Sequence, residues 1–157
     1  MKPAAEKFSK VKILFFDLDG VLNTQSENNT NTDFCIELSE FCKKCSAYNL
    51  KVFVITGRED DEITKAVSEI DNCFIKTASV NKVQAAGEIL LELQLNFDDA
   101  FFIGDNILDI PLLQRVGLKA CPRGARREVK RIVDFIADGE TCEEILSEVM
   151  SYIENSR

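Results

Sequence analysis

The chain has 157 residues, of which 45% are hydrophobic and 29% are charged, and these fractions are those of a soluble globular protein. Its formal net charge of -8 argues against nucleic acid or an anionic membrane surface as a general partner. The chain contains no histidine, which excludes Ser-His-Asp and Cys-His catalysis and leaves acid–base chemistry to carboxylates, Lys, Tyr or Cys.

The length predicts a single domain over residues 1–157, and we expect residues 1–10 to be a loose N-terminal segment. The first hydrophobic run is interrupted by two Asp, so it predicts neither a signal peptide nor a membrane span. We therefore expect a cytoplasmic protein whose six Cys are thiols.

The first predicted strand covers 13–16, a continuous apolar run typical of a strand buried on both faces of a parallel sheet. Asp17 and Asp19 follow it, and Gly20 lets the backbone turn. Two carboxylates at this point are either a polar turn or a nucleophile and a proton carrier beside a hard cation such as Mg²⁺. The first strand alone does not decide between these interpretations.

Helical and strand patterns alternate along the rest of the chain. The apolar spacing predicts helices over 33–49, 59–70, 81–95, 106–116 and 125–131 and a last helix from 141, and strands over 51–57, 73–76, 100–104, 118–121 and 133–136. This alternation is typical of an α/β fold, a doubly wound parallel sheet with helices on both faces. Ligands of such sheets bind outside the carboxyl ends of the strands.

Polar and charged residues follow several of the predicted strands. Because the carboxyl ends of parallel strands meet at one edge of a sheet, we expect these residues to lie close together. The residues are Asp17 and Asp19 after the first strand, Thr56, Gly57 and Arg58 after the second, Lys82 at the start of the helix after the third, and Asp105 after the fourth.

These residue types suit the cleavage of a phosphate monoester. Mg²⁺ held by Asp17, the backbone carbonyl of Asp19 and Asp105 would, together with Lys82, neutralise the phosphate dianion. Thr56 and nearby backbone N–H groups would bind the equatorial phosphate oxygens. Asp17 would attack phosphorus and become an aspartyl phosphate, while Asp19 would protonate the leaving alcohol and later activate water.

The set FFDLDG, ITGR, Lys82 and GDNILD resembles the four motifs of the haloacid dehalogenase superfamily, in order, over residues 12–121. The resemblance implies a Rossmann-like three-layer fold, Mg²⁺ dependence and a phosphoaspartate, with Asp109 in the outer shell of the metal. Phosphatases and mutases of the superfamily carry Asp at the position of Asp19, whereas its P-type ATPases carry Thr. The resemblance therefore favours hydrolysis of the aspartyl phosphate.

Neither gap between the motifs is long enough for a cap domain, since the gaps hold only 23–32 and 77–81. The chain resembles the capless group typified by 3-deoxy-manno-octulosonate-phosphate phosphatases. That resemblance implies a sugar-acid phosphate as substrate, a homotetramer, and an Arg58 that reaches the substrate carboxylate. A solvated loop charge is the alternative interpretation of Arg58.

Two stretches depart from the pattern of that group. Residues 23–32 lack the alternation of its β-hairpin, and ADGETCEE at 137–144 replaces its glycine-rich segment and Arg-Glu pair. Both departures concern the substrate and the tetramer rather than the phosphate chemistry.

Our hypothesis is a capless Mg²⁺-dependent phosphatase that acts on a small phosphorylated metabolite. One alternative is a binding or regulatory domain with the same fold and little turnover, and another is a phosphoprotein phosphatase. A basic stretch at 119–131 either attracts an anionic substrate or partner or forms a solvated helix face.

Overall fold

The computed structural model describes residues 2–24 and 32–157, with side chains from residue 4 onward. In these ranges the helices are α1 (Lys2–Phe8), α2 (Phe34–Ala47), α3 (Glu62–Ser68), α4 (Lys82–Leu93), α5 (Ile110–Leu113), α6 (Arg127–Lys130) and α7 (Cys142–Ser156). The strands are β1 (Ile13–Phe16), β2 (Lys51–Ile55), β3 (Cys73–Lys76), β4 (Ala100–Ile103), β5 (Leu118–Cys121) and β6 (Phe135–Ile136).

The strands form one parallel sheet in the order β3-β2-β1-β4-β5-β6. The chain runs outward from β1 to β3 and then returns to the other side of β1 to form β4. The winding direction therefore reverses between β1 and β4, and a crevice outside the carboxyl ends of strands at such a reversal is where open α/β sheets bind ligands. The predicted doubly wound fold is confirmed.

Strand β1 is buried because helices cover both faces of the sheet. Leu14 and Phe16 point into one apolar cluster, to which α1, α2, α3 and α7 contribute. Ile13 and Phe15 point into the opposite cluster, to which α4, α5 and α6 contribute. All four side chains are fully buried, which explains why every residue of the strand is apolar.

Several helices begin later than their apolar spacing predicts, including the one expected over 125–131, which begins at Arg127. The helix expected from residue 59 begins at Glu62, because the side chain of Asp61 accepts a hydrogen bond from Thr64 N at 2.9 Å and caps it there. For the helix expected over 106–116, Pro111 places the start of the regular part near Asp109, and the structure has a 3₁₀ turn over Ile107–Asp109 followed by α5 from Ile110, with Pro111 in its first turn. Of the predicted loop at 23–32, residues 25–31 lie outside the described residues.

The expectation of a loose N-terminal segment over residues 1–10 was wrong. Lys2–Phe8 is helical, and Phe8 is fully buried. The centroid of the Phe8 ring lies 5.1 Å from that of Phe101 in β4 and 5.5 Å from that of Tyr152 in α7. A helix this short is not stable alone, so contacts with distant elements, which the local sequence does not reveal, hold α1 in place.

All six cysteines are free thiols in the structure, as predicted from the sequence. None of the helices in the described ranges is long and apolar enough to span a bilayer. The prediction that residues 1–157 form a single domain stays a prediction.

We expect Phe8→Ala to lower the free energy of unfolding by about 3–5 kcal/mol, because it leaves a cavity between α1, β4 and α7. The measurement is urea unfolding followed by circular dichroism. Glu6→Ala, an exposed change on the same helix, should stay within about 0.5 kcal/mol of the unmodified protein. Equal stability of the two variants would mean that α1 does not dock on the core.

Candidate active site

The end of β1 carries the two aspartates of the first motif. Asp17 N donates to Ile103 O at 3.1 Å, so the pairing with β4 continues to the first carboxylate. The chain then turns through Gly20, whose φ is +90°, and a Cβ at Gly20 would overlap the carboxylate of Asp105. Glycine is therefore required both by the backbone conformation and by the close approach of the loop after β4.

A buried lysine joins two of the predicted site carboxylates. Lys82 Nζ lies 2.7 Å from Asp17 Oδ1 and 2.7 Å from Asp109 Oδ1. Lys82 is the first residue of α4, and the side chain of Asn81 caps that helix by accepting from Gln84 N at 3.0 Å. This cap fixes the residue at which α4 begins, and with it the point at which the ammonium group of Lys82 enters the site.

Asp109 organises the loop that follows β4. Its Oδ2 accepts hydrogen bonds from Asp105 N at 2.9 Å and Asn106 N at 3.2 Å, and the residue is fully buried. A Cβ at Gly104 would lie 2.7 Å from Asp109 Cβ, closer than side chains approach, which explains the glycine at that position. Asp109 therefore positions both Lys82 and the backbone of Asp105.

Three carboxylates face one ammonium group in this cluster. Asp17, Asp105 and Asp109 each place one oxygen within 4.8 Å of the others. Burial raises the pKa of Asp17 well above its usual value, and the neighbouring carboxylates add to this although Lys82 opposes it. Burial also raises the pKa of Asp105. For Lys82, burial would lower the pKa, but the charges of Asp17 and Asp109 outweigh it and raise the pKa.

This cluster fits a hard divalent cation. Asp105 Oδ1 is buried and has no hydrogen-bond partner within the part of the chain that the structure describes. The cluster also carries more negative than positive charge, and carboxylate oxygens are the ligands that Mg²⁺ prefers. Both oxygens of Asp109 already accept hydrogen bonds, so Asp17 and Asp105 have the oxygens best placed to bind a cation. The predicted ligand set of Asp17, Asp19 and Asp105 stays a prediction.

The carboxylate of Asp19 is bound by Arg58 rather than by the cluster. Arg58 Nη2 donates to Asp19 Oδ1 at 2.7 Å, and Arg58 Nε donates to Asp19 Oδ2 at 3.2 Å. Arg58 Nη1 donates to Asp61 Oδ2 at 2.7 Å. The hydrogen bonds with Asp19 and Asp61 raise the pKa of Arg58.

These contacts bear on the two interpretations of Arg58. Its side chain is only 19% exposed and is bound to two carboxylates of its own chain, which does not fit a solvated loop charge. The predicted contact with a substrate carboxylate would require Asp19 or Asp61 to give up its hydrogen bonds. Sequence reasoning missed Asp61, although its position three residues after Arg58 was a signal that the two could pair.

Thr56 and Gly57 lie at the end of β2, the strand next to β1. Thr56 is buried, and its Oγ1 accepts a hydrogen bond from Arg58 N at 3.1 Å. A Cβ at Gly57 would meet no atom within 4 Å, so the space beside this residue is open. Both residues lie at the predicted edge of the sheet, and their role in phosphate binding stays a prediction.

A sequence model of the haloacid dehalogenase-like hydrolases matches residues 61–145. The chain belongs to this family. The match includes Lys82, Asp105 and Asp109 and begins after the strand that carries Asp17 and Asp19. The family that the sequence motifs predicted is confirmed, and with it the prediction that the chain is a hydrolase.

Similar proteins are phosphatases. The 3-deoxy-D-manno-octulosonate 8-phosphate phosphatase of Salmonella typhi is 23% identical over 135 residues, which cover 83% of this chain and 72% of that protein. The phosphoglycolate phosphatase of Thermoplasma volcanium is 29% identical over 154 residues, covering 88% of this chain and 68% of that protein. The predicted enzyme class, a phosphatase, agrees with these relatives.

A solved structure with the same fold is the 3-deoxy-D-manno-octulosonate 8-phosphate phosphatase of Moraxella catarrhalis, in complex with magnesium ion, phosphate ion and 3-deoxy-D-manno-octulosonate. It matches with a TM-score of 0.84 and 17% identity, over 99% of this chain and 95% of that chain. At this identity, the match establishes the fold alone.

We expect Gly20→Ala to weaken Mg²⁺ binding about tenfold or more, because the added Cβ would displace the Asp105 carboxylate. Isothermal titration with Mg²⁺ measures the effect. Gly87→Ala, a change inside α4, is the control, since the added Cβ would make an ordinary 3.6 Å contact with the ring of Phe97. Unchanged Mg²⁺ affinity of Gly20→Ala would show that Asp105 is not a ligand.

Proposed function

We propose that the chain is a Mg²⁺-dependent phosphatase that hydrolyses a phosphate monoester of a small metabolite through an aspartyl phosphate on Asp17. The observation that carries the proposal is the 2.7 Å contact of Asp17 with Lys82 at the carboxyl end of β1, inside a carboxylate cluster that suits a divalent cation. The membership of the chain in the haloacid dehalogenase-like hydrolases supports it.

The geometry of Asp17 suits a nucleophile. Its Oδ1 accepts hydrogen bonds from Lys82 Nζ and from Leu18 N at 2.9 Å, so the orientation of the carboxylate is fixed. A phosphate monoester is a dianion, and a carboxylate attacks it only when positive charge offsets the repulsion. Lys82 supplies part of that charge, and Mg²⁺ bound by Asp17 and Asp105 would neutralise and orient the phosphate.

The first half of the reaction transfers the phosphoryl group from the substrate to Asp17. A carboxylate oxygen of Asp17 attacks phosphorus, the bond from phosphorus to the leaving oxygen breaks, and Asp19 gives its proton to that oxygen. Asp19 is 42% exposed at the mouth of the site, but both of its oxygens accept from Arg58. At least one of these hydrogen bonds must open before Asp19 acts on a substrate.

The second half of the reaction hydrolyses the aspartyl phosphate. Asp19, now a carboxylate, takes a proton from a water molecule that attacks phosphorus. The bond from phosphorus to Asp17 breaks, which releases phosphate and restores the carboxylate. Because Arg58 N occupies an acceptor position of Thr56 Oγ1, the hydroxyl proton of Thr56 can be donated to a phosphate oxygen in both halves.

The substrate that we propose is a small phosphate monoester that carries a carboxylate, with sugar-acid phosphates in this class. The names of the two relatives support it, since 3-deoxy-D-manno-octulosonate 8-phosphate and phosphoglycolate are both phosphorylated acids. The predicted homotetramer stays a prediction.

We expect phosphate release that depends on Mg²⁺, and a loss of about a thousandfold or more in kcat for Asp17→Asn, because the amide is not a nucleophile. Phosphate release is measured on a panel of phosphorylated sugars, sugar acids, nucleotides and phosphopeptides. Asp71→Asn, an exposed change far along the chain, is the matched control.

The panel also tests the alternatives. A lack of Mg²⁺-dependent release on every compound would contradict the phosphatase and favour a binding or regulatory domain. Selective release from phosphopeptides would favour a phosphoprotein phosphatase.

For Asp19→Asn, we expect kcat/KM to fall by about 10²–10⁴ with an alkyl phosphate and by much less with p-nitrophenyl phosphate. The nitrophenolate ion leaves without a proton, whereas an alkoxide needs one, and kcat/KM reports on the first half of the reaction. The comparison is made within one variant, so a folding defect affects both substrates. Equal losses would remove Asp19 from the role of proton donor.

A further inference from the structure

A cavity lined in part by charged side chains adjoins the carboxylate cluster and has no part in the phosphate chemistry described above. Its volume is about 420 Å³ and its lining includes Gly20, Pro122, Arg123, Gly124, Gly139 and Glu140. A cavity of this size suits a small ligand, since ligand pockets measure about 300–1,000 Å³. The lining thus combines small residues with one cation and one anion.

The cavity is connected to the proposed reaction centre by backbone contacts. Gly20 follows Asp19 directly and lies against the carboxylate of Asp105. The loop after β5, which also lines the cavity, is fixed because Arg126 N donates to Asp105 O at 3.0 Å. A phosphate group held beside Asp17 and Asp105 would therefore leave the rest of its molecule next to this cavity.

The basic residues near the reaction centre differ in how firmly they are paired. Lys82 and Arg58 each make two 2.7 Å contacts with carboxylates. By contrast, Arg123 Nη1 lies 3.6 Å from Glu140 Oε1, and the two side chains are 66% and 73% exposed. Such an exposed pair is weak, so an anionic ligand can recruit Arg123 at little cost.

We propose that this cavity binds the organic part of the substrate, with Arg123 holding a carboxylate and Glu140 accepting hydrogen bonds from hydroxyl groups. The inference rests on the proposed phosphatase function and deepens it, because it assigns the side chains that would recognise the carboxylate and the hydroxyl groups of the substrate. A guanidinium group matches a carboxylate with two parallel hydrogen bonds. Within the basic stretch at 119–131, Arg123 is the cation that lines the cavity, whereas Arg127 is exposed on α6.

The test compares 6-phosphogluconate with sorbitol 6-phosphate, which differ in having a carboxylate or a hydroxymethyl group at carbon 1. Binding is measured by titration with Mg²⁺ present, in the Asp17→Asn background, so that neither compound is consumed. We expect Arg123→Gln to weaken the binding of 6-phosphogluconate about tenfold or more, and to change that of sorbitol 6-phosphate by less than about twofold.

Two further variants separate recognition from general charge effects. Arg127→Gln removes a neighbouring exposed charge and should leave both affinities unchanged. Arg123→Lys keeps the charge without the planar fork and should recover part of the lost affinity. Equal binding of the two compounds before mutation, an equal loss with both in Arg123→Gln, or the same loss in Arg127→Gln would overturn the proposal.

Turnover of the two compounds by the unmodified enzyme distinguishes this proposal from the proposed function. Discrimination through Arg123 in binding, without hydrolysis of any phosphate ester, would leave the cavity assignment standing and refute the phosphatase. Hydrolysis of both compounds with equal kcat/KM would support the phosphatase and overturn the assignment of Arg123.

Discussion

The buried ammonium of Lys82 connects the ends of three elements. It contacts Asp17 after β1 and Asp109 after β4, and it is itself the first residue of α4. A buried charge is tolerated only when it is paired, so each of these groups depends on the other two for its place in the interior. Asp109 extends the connection to the backbone of Asp105. The positions of the predicted nucleophile Asp17 and of Asp105 therefore follow from one connected set of ion pairs and hydrogen bonds.

The parallel sheet makes this set of contacts possible. Because β1 lies between β2 and β4, the first carboxylate emerges where the winding direction reverses, next to the loop that carries Asp105. The apolar clusters on both faces exclude water from β1, so the carboxylates at its end have little solvent to stabilise their charge. Their excess of negative charge is the physical reason why the site suits a divalent cation.

The cationic side chains around the site differ in their partners. Lys82 and Arg58 neutralise carboxylates of the chain itself, whereas Arg123 is held only by an exposed contact with Glu140. Neither gap between the motifs is long enough for a cap domain, so the loops after the strands must supply the groups that meet the substrate. The loop after β5 and the segment before α7 both line the cavity beside Gly20, where we propose that they meet the organic part of the substrate.

The sequence by itself determined the strands, the alternation with helices and the convergence of Asp17, Lys82 and Asp105. These features depend on local periodicity and on the rule that parallel strands share a carboxyl edge, both of which are visible in the order of residues. Only the tertiary structure decided that Phe8 is buried, that Arg58 binds Asp19, and that Arg123 faces Glu140. The partners in these contacts are 93, 39 and 17 residues apart for Phe8–Phe101, Arg58–Asp19 and Arg123–Glu140. No local pattern specifies such pairs, because the packing of distant elements brings them together.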